Sequence, residues 1–223
     1  MCTCYAFTAP SLDLALHTGL PVERLTPPRP RYRIRPRENA TVIHQPDSSG
    51  LKVEEMTWGL IPSWSRDGSQ NLFNARSETA FKLPSFRNGI QRRRCIVPAS
   101  GFFEWQGQKG AKRPYYFHST DDNTLMLAGL WERWHDAAKP GGASLTTFTI
   151  LTQQAGHPVV NFHERQPVIL HPADLEHWFD PRADRNLVAD IMQAAGNVDL
   201  AVRPVSRLLL RQPEGPHSIA EAA

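Results

Sequence analysis

The chain has 223 residues, of which 40% are hydrophobic, 21% charged and 9% aromatic, a balance that excludes disordered and fibrous classes and suits one domain. Its best apolar run, Leu125 to Trp131, falls far short of the roughly 18 residues that cross a bilayer. No basic-then-apolar leader opens the sequence, and three cysteines argue against a disulfide framework, so a protein of the reducing cytoplasm is expected. The net charge of +3 hides an asymmetry: residues 1–113 carry +8, residues 114–223 carry −5, and 20 of the 25 basic residues are arginine. Such a distribution is the footprint of an anionic partner, nucleic acid first among them.

In chain order, Met1-Cys2-Thr3-Cys4-Tyr5-Ala6-Phe7 is a β-prone start. Ser11 caps a short helix over Leu12 to Leu20, ended by Gly19 and Pro21. Prolines 27, 28, 30 and 36 keep the next segment extended. Strands are predicted at 41–44, 53–60, 94–97, 102–105, 115–118, 125–131, 146–151 and 167–170. Turn clusters at 46–50 and 140–142 separate some of them. Helices are predicted over 172–179 and 184–195, each with an acidic first turn. A last strand near 200–205 precedes a tail from about Gln212 that is expected to be flexible. Many strands, short turns and few helical crossovers favour an α+β fold of mostly antiparallel strands in a single domain, residues 1–211.

Four segments carry candidate chemistry. Trimming of Met1 gives Cys2 a free α-amine of pKa about 8 beside a thiol of pKa about 8.5. This 1,2-aminothiol forms a Schiff base with an aldehyde and closes to a thiazolidine; the competing reading is a small buried residue at a strand start. In Asn74-Ala75-Arg76 the outer two side chains share one face of an extended strand, an amide to orient an amine and a guanidinium to hold a phosphate. Glu104 is a lone carboxylate among Phe102, Phe103 and Trp105, where apolar surroundings raise its pKa and suit it to carry protons, unless it faces water. His163, in Asn161-Phe162-His163-Glu164-Arg165-Gln166, precedes a predicted strand, a position that serves function or structure. A fifth feature is Arg29, Arg31, Arg33, Arg35 and Arg37 at every second position. Period two aligns them on one face, where phosphates are the natural counterions and a charged, solvated edge is the alternative.

Together, Met1-Cys2, Trp58 to Trp64, Asn74 to Thr79, Arg93 to Trp105, Tyr115 to Phe117, Leu127 to Trp131 and His163 to Leu170 resemble the SOS response-associated peptidase (SRAP) family, abasic-site shielding proteins. The resemblance implies a barrel-like β-rich α+β domain with peripheral helices. It implies binding to single-stranded DNA and capture of the abasic-site aldehyde by Cys2 as a thiazolidine crosslink. It assigns Cys2 as nucleophile, Asn74 as its orienting group, and Glu104 and His163 as proton carriers. It adds Arg76 as a backbone contact and Trp64 with Pro36 as a surface that wedges the strand, beside the stripe residues Arg33 and Arg35. Lyase and autopeptidase activities are further expectations of the same resemblance, with a monomer that needs no cofactor, metal or membrane. The chain departs from the family's Met-Cys-Gly-Arg start at Thr3 and Cys4, and from its Tyr-Asn-Val-Ala-Pro at Arg33 and Arg35. Two rival classes stay open: a non-covalent single-stranded DNA-binding module, and a Cys2–His163–Asn74 thiol hydrolase.

Overall fold

The computed structural model describes residues 2–47, 49–108, 111–136, 144–195 and 198–222. Met1, Ser48 of the first turn cluster, and the turn at 140–142 lie outside them. Strands are β1 (Tyr5–Phe7), β2 (Arg31–Ile34), β3 (Asn39–His44), β4 (Lys52–Trp58), β5 (Asn74–Arg76) and β6 (Arg94–Ala99). They continue as β7 (Gly101–Gln106), β8 (Arg113–Ser119), β9 (Leu125–His135), β10 (Ser144–Gln154), β11 (Arg165–Pro167) and β12 (Leu200–Pro204).

Strands β4, β3, β6, β9 and β10 pair in that order, and β10 returns to β4, which closes a five-stranded ring. The closing pair is parallel, as is β5 on β10; the remaining ladders are antiparallel. A second sheet runs β12-β8-β7-β1-β2. The α+β, mostly antiparallel, barrel-like architecture expected from the sequence is therefore the one observed. Ring strands β6 and β9 read as near-continuous apolar runs because both of their faces are covered over most of their length, whereas β4 exposes Lys52 and Glu55. In β6, Cys95, Val97 and Ala99 face one core with Trp58, Phe102 and Phe148, while Ile96 faces another beneath the helices. A third core joins Cys4, Ala6, Phe103 and Tyr116 to Val205 and Leu209.

Ser11 caps α1 (Leu12–Thr18), its hydroxyl accepting from the Leu14 N–H at 3.2 Å, and Gly19 ends it at φ 66°. Helices α2 (Val22–Leu25), α3 (Ser77–Ala80) and α4 (Arg87–Arg92) were not predicted, being too short to show a 3.6-residue period. Of the predicted 172–179 helix, the first turn is 3₁₀ and α5 spans Leu175–Phe179; α6 spans Arg185–Ala194. The strand predicted at 167–170 begins earlier, as β11, and continues only through a single Leu127–Ile169 bridge. That shift puts His163 directly before a strand that pairs with the end of β10.

The expected flexible tail is instead packed. Arg33 donates to the carbonyls of Leu209 and Gln212, Arg31 pairs with Glu214 at 3.1 Å, and Arg203 donates to the Ile219 carbonyl at 2.9 Å. Ser218 is buried and the Ala222 N–H reaches the Pro204 carbonyl at 3.0 Å. Local composition could not reveal this, because the partners lie far away in sequence.

Candidate functional site

Cys2 is fully buried, at 0% exposure, against the core that holds Tyr5, Phe102 and Phe117. Its carbonyl accepts from Asn74 Nδ2 at 2.8 Å, and its thiol donates weakly to the Cys4 carbonyl at 3.7 Å. Asn74 opens β5, whose parallel pairing sets it opposite Ile150. The pairing on β10 thus delivers the amide to Cys2.

On β7, alternation sends Phe103 to the third core and Phe102 toward Cys2, and Glu104 follows Phe102. Glu104 is only 2% exposed. Burial pushes its carboxyl up to about 7, a rise that Lys112 opposes. Burial, then the Glu104 charge, pushes the Cys2 thiol well above the ordinary range. A group with a pKa near neutrality inside an apolar pocket holds and releases a proton at working pH.

His163 follows a 3₁₀ turn, Val159–Asn161. Two contacts draw that turn to the second sheet: Gln106 Nε2 donates to the Asn161 carbonyl at 3.0 Å, and Phe162 packs on Tyr115 and Phe117 at 4.6 and 5.2 Å between centroids. His163 Nδ1 lies 2.9 Å from the Arg165 N–H, from which the ring accepts in one tautomer, and 3.2 Å from the Arg165 carbonyl, to which it donates in the other. Burial holds the imidazole below its usual pKa, so it is mostly neutral at pH 7.

Cys2, Asn74, Glu104 and His163 are thereby gathered from four distant segments. Arg76 is exposed at the end of β5 and start of α3. Trp64 is 54% exposed on the loop after β4, and Pro36 is half-buried in the β2–β3 turn. The Pro36 turn is stitched to the root of the Trp64 loop by Arg37 N–H to the Trp58 carbonyl, 2.7 Å, and Trp58 N–H to the Glu38 carbonyl, 2.9 Å.

The stripe of five arginines on one face does not form. β2 ends at Ile34 and Arg37 adopts φ 75°, so the two-residue alternation stops after two turns of the pleat. Arg31 sits between Glu38 and Glu214, and Arg33 is turned to main-chain carbonyls of the C-terminal segment. Arg29, Arg35 and Arg37 are exposed, Arg35 with Glu38 at 3.2 Å. Residues the sequence reading passed over include Lys112, whose charge reaches both Glu104 and His163. Another is Arg165, bidentate to Glu78 at 2.5 and 2.9 Å and bonded to the Thr152 carbonyl at 2.6 Å. That fork ties the His163 loop to α3; the Glu-Arg pair after His163 was its one signal in the sequence. Among the described residues no group of three or more His, Cys, Asp or Glu is arranged to hold a metal ion.

Fold and site define a class: a β-barrel domain whose second residue, Cys2, is buried near the buried carboxyl of Glu104, with the half-buried His163 on an adjoining loop. The family model for the SOS response associated peptidase (SRAP) matches residues 1–211, and the chain belongs to that family. It is 33% identical over 184 residues to the abasic site processing protein YoqW of Bacillus subtilis, covering 81% of this chain and 80% of that protein. It is 32% identical over 184 residues to the abasic site processing protein HMCES of Gallus gallus, covering 68% of this chain and 54% of that protein. A solved protein of Bacteroides thetaiotaomicron superposes over the whole of both chains with a TM-score of 0.84 at 26% identity. A phage-related protein of Bordetella bronchiseptica does so with a TM-score of 0.72 at 28% identity, over 92% of this chain and 95% of that one.

Proposed function

We propose that this chain processes abasic sites in single-stranded DNA by joining Cys2, after loss of Met1, to the lesion's aldehyde. The α-amine adds to the aldehyde carbon, and the carbinolamine loses water to give an imine. The thiol then adds across the C=N bond, its proton passing to nitrogen, and a thiazolidine closes. Overall one water leaves. Glu104 accepts the amine proton in its ionised form and returns it to the departing hydroxyl, while the imidazole of His163 assists the proton transfer. Asn74 holds the Cys2 carbonyl so that amine and thiol face one carbon, and Arg76 holds the strand's phosphate.

The observation that carries this reading is the 2.8 Å bond from Asn74 to the Cys2 carbonyl beside a buried carboxyl of pKa about 7. The same bond weighs against the thiol hydrolase, in which the amide would orient the histidine rather than the cysteine. So does burial, which raises the Cys2 thiol when a hydrolase needs it lowered. A thiol inside a five-membered ring closure needs no free thiolate in solution. The test is intact mass after incubation with single-stranded abasic DNA. The expected species is the chain without Met1 plus DNA minus one water, stable to heat. Equal stable adduct from Cys2→Ala would overturn the proposal.

A further inference from the structure

The loop between β4 and β5 is pinned at three places. Its base is closed by reciprocal bonds between Leu60 and Leu72, 3.0 and 3.1 Å. Its exit is held by Trp58 Nε1, which donates to the Phe73 carbonyl at 2.8 Å. Its middle is gripped by Trp134 near the end of β9, whose Nε1–H donates to the Ser65 carbonyl at 2.6 Å. The six-membered ring of that same indole lies against Gly68, where φ is 64° and a Cβ would come within 2.9 Å of Trp134 Cη2. One side chain therefore seizes the loop on both sides of its tip. The residue next to the seized carbonyl is Trp64, the most exposed aromatic side chain among the described large hydrophobics.

An exposed indole on a short loop is usually costly twice over: apolar surface in water, and rotational freedom lost on contact. Fixing the backbone beforehand lowers the second cost, and a nucleobase stacked on the indole removes the first. We propose that Trp134 is a positioning residue for DNA capture, setting the Trp64 loop so that its indole is a ready platform for an unpaired base. This rests on the DNA-binding reading above and adds to it a residue that touches no DNA itself. Its Gly68 contact makes the loop's glycine part of the same device.

The experiment is a double-mutant cycle on affinity for single-stranded DNA, with thermal stability measured alongside. Trp64→Ala is expected to weaken binding about 5- to 100-fold, the size of one lost base stack. Trp134→Ala is expected to cost about fivefold when Trp64 is present and less than about twofold when Trp64 is already alanine. The loss should be the same for intact and abasic strands, because stacking needs no lesion. Trp134→Phe keeps an aromatic ring against Gly68 without the N–H donor; an intermediate loss is expected, and it serves if the alanine variant does not fold. Equal losses in both Trp64 backgrounds, or none, would overturn the inference and leave Trp134 as a support of the fold. A wild-type chain that does not bind single-stranded DNA would overturn the functional reading and this inference together.

Discussion

The second sheet buries apolar side chains on both faces, and the faces treat charge in opposite ways. On one, Ala6, Phe103 and Tyr116 pack with Cys4, Val205 and Leu209, and three guanidiniums beside them find partners. Arg33 finds carbonyls, Arg31 two carboxylates, and Arg203 a carbonyl with the Tyr116 ring at 5.3 Å. On the other, Tyr5, Phe102 and Phe117 pack with Cys2, and burial raises the nearby Glu104 carboxyl to a pKa of about 7. Charge that is matched locks a segment in place; charge kept in an apolar setting is poised to exchange a proton. On the function proposed above, the first face serves stability and the second chemistry.

The largest effect expected concerns Cys2. Cys2→Ala should remove all heat-stable adduct with abasic DNA while leaving an imine that borohydride traps, since the alanine amine persists. Cys4→Ala, on the locked face, should keep the adduct and cost stability alone, by about 1 kcal/mol for a small buried side chain. Mass spectrometry and a thermal melt of both variants separate the two faces directly. Loss of adduct from Cys4→Ala would merge them.

Next come the proton carriers. Losing a positioned acid–base group costs about 10²–10⁴ in rate, so Glu104→Gln and His163→Ala should slow adduct formation by that order with DNA affinity little changed. The ionised form of Glu104 that accepts the amine proton forms above pH 7 and the free amine forms above about pH 8, so its contribution to the rate should rise with pH through this range and vanish in the Gln variant. Stability gives the reverse sign. The folded pKa of Glu104, about 7, exceeds the ordinary 4.5, so the folded state holds the proton more tightly and stability falls as pH rises from 4.5 to 7. The penalty reaches about 3 kcal/mol. Glu104→Gln should melt higher than wild type at pH 8, with the gap narrowing toward pH 4.5. A pH-independent gap would place Glu104 among matched charges.

A smaller effect tests the locked face. Replacing Arg33 by Ala strands two carbonyls and should cost about 2 kcal/mol, the scale of charged hydrogen bonds, or roughly 6 °C in Tm. It should also speed labelling of Cys4 by a thiol reagent, because Leu209 and the residues after it loosen. An unchanged melt with a weaker salt dependence of DNA binding would move Arg33 back to the DNA surface.

How much of this was legible in the sequence follows from the range of the interactions. Strand runs, the Ser11 cap and the Asn74-Ala75-Arg76 alternation are local and could be read from neighbours. Glu104 was readable because its apolar surroundings are its sequence neighbours, Phe102, Phe103 and Trp105. The arginine segment was misread because its partners, Leu209, Gln212 and Glu214, lie some 180 residues away, beyond any periodicity argument. The Trp134 grip on Ser65, 69 residues apart, escaped for the same reason, and the short helices because they span too few residues to show a period. The parallel pairing of β5 on β10, which brings Asn74 to Cys2, is a property of topology that no single segment encodes.

The smallest effect sharpens the comparison at its boundary, on Arg35. It stands one residue beyond β2, 48% exposed, with its guanidinium against Glu38 at 3.2 Å, a carboxylate that Arg31 also holds at 2.7 Å. An exposed pair of this kind contributes little to stability, so Arg35→Gln should leave the melt within about 0.5 kcal/mol of wild type. If the guanidinium turns to a phosphate when single-stranded DNA arrives, one counterion contact is lost in the variant. The slope of log affinity against log salt should then flatten by about 0.7. Binding should weaken alike for all sequences, because a phosphate contact carries no base information. Arg33→Gln should give the opposite pair of results, a lower melt and an unchanged slope. Measuring both variants by salt titration and thermal melt places the border between locked and DNA-facing charge at Ile34, where β2 ends. An unchanged slope for Arg35→Gln would move that border past Arg37 and leave Arg76 as the nearest phosphate contact to the Cys2 pocket.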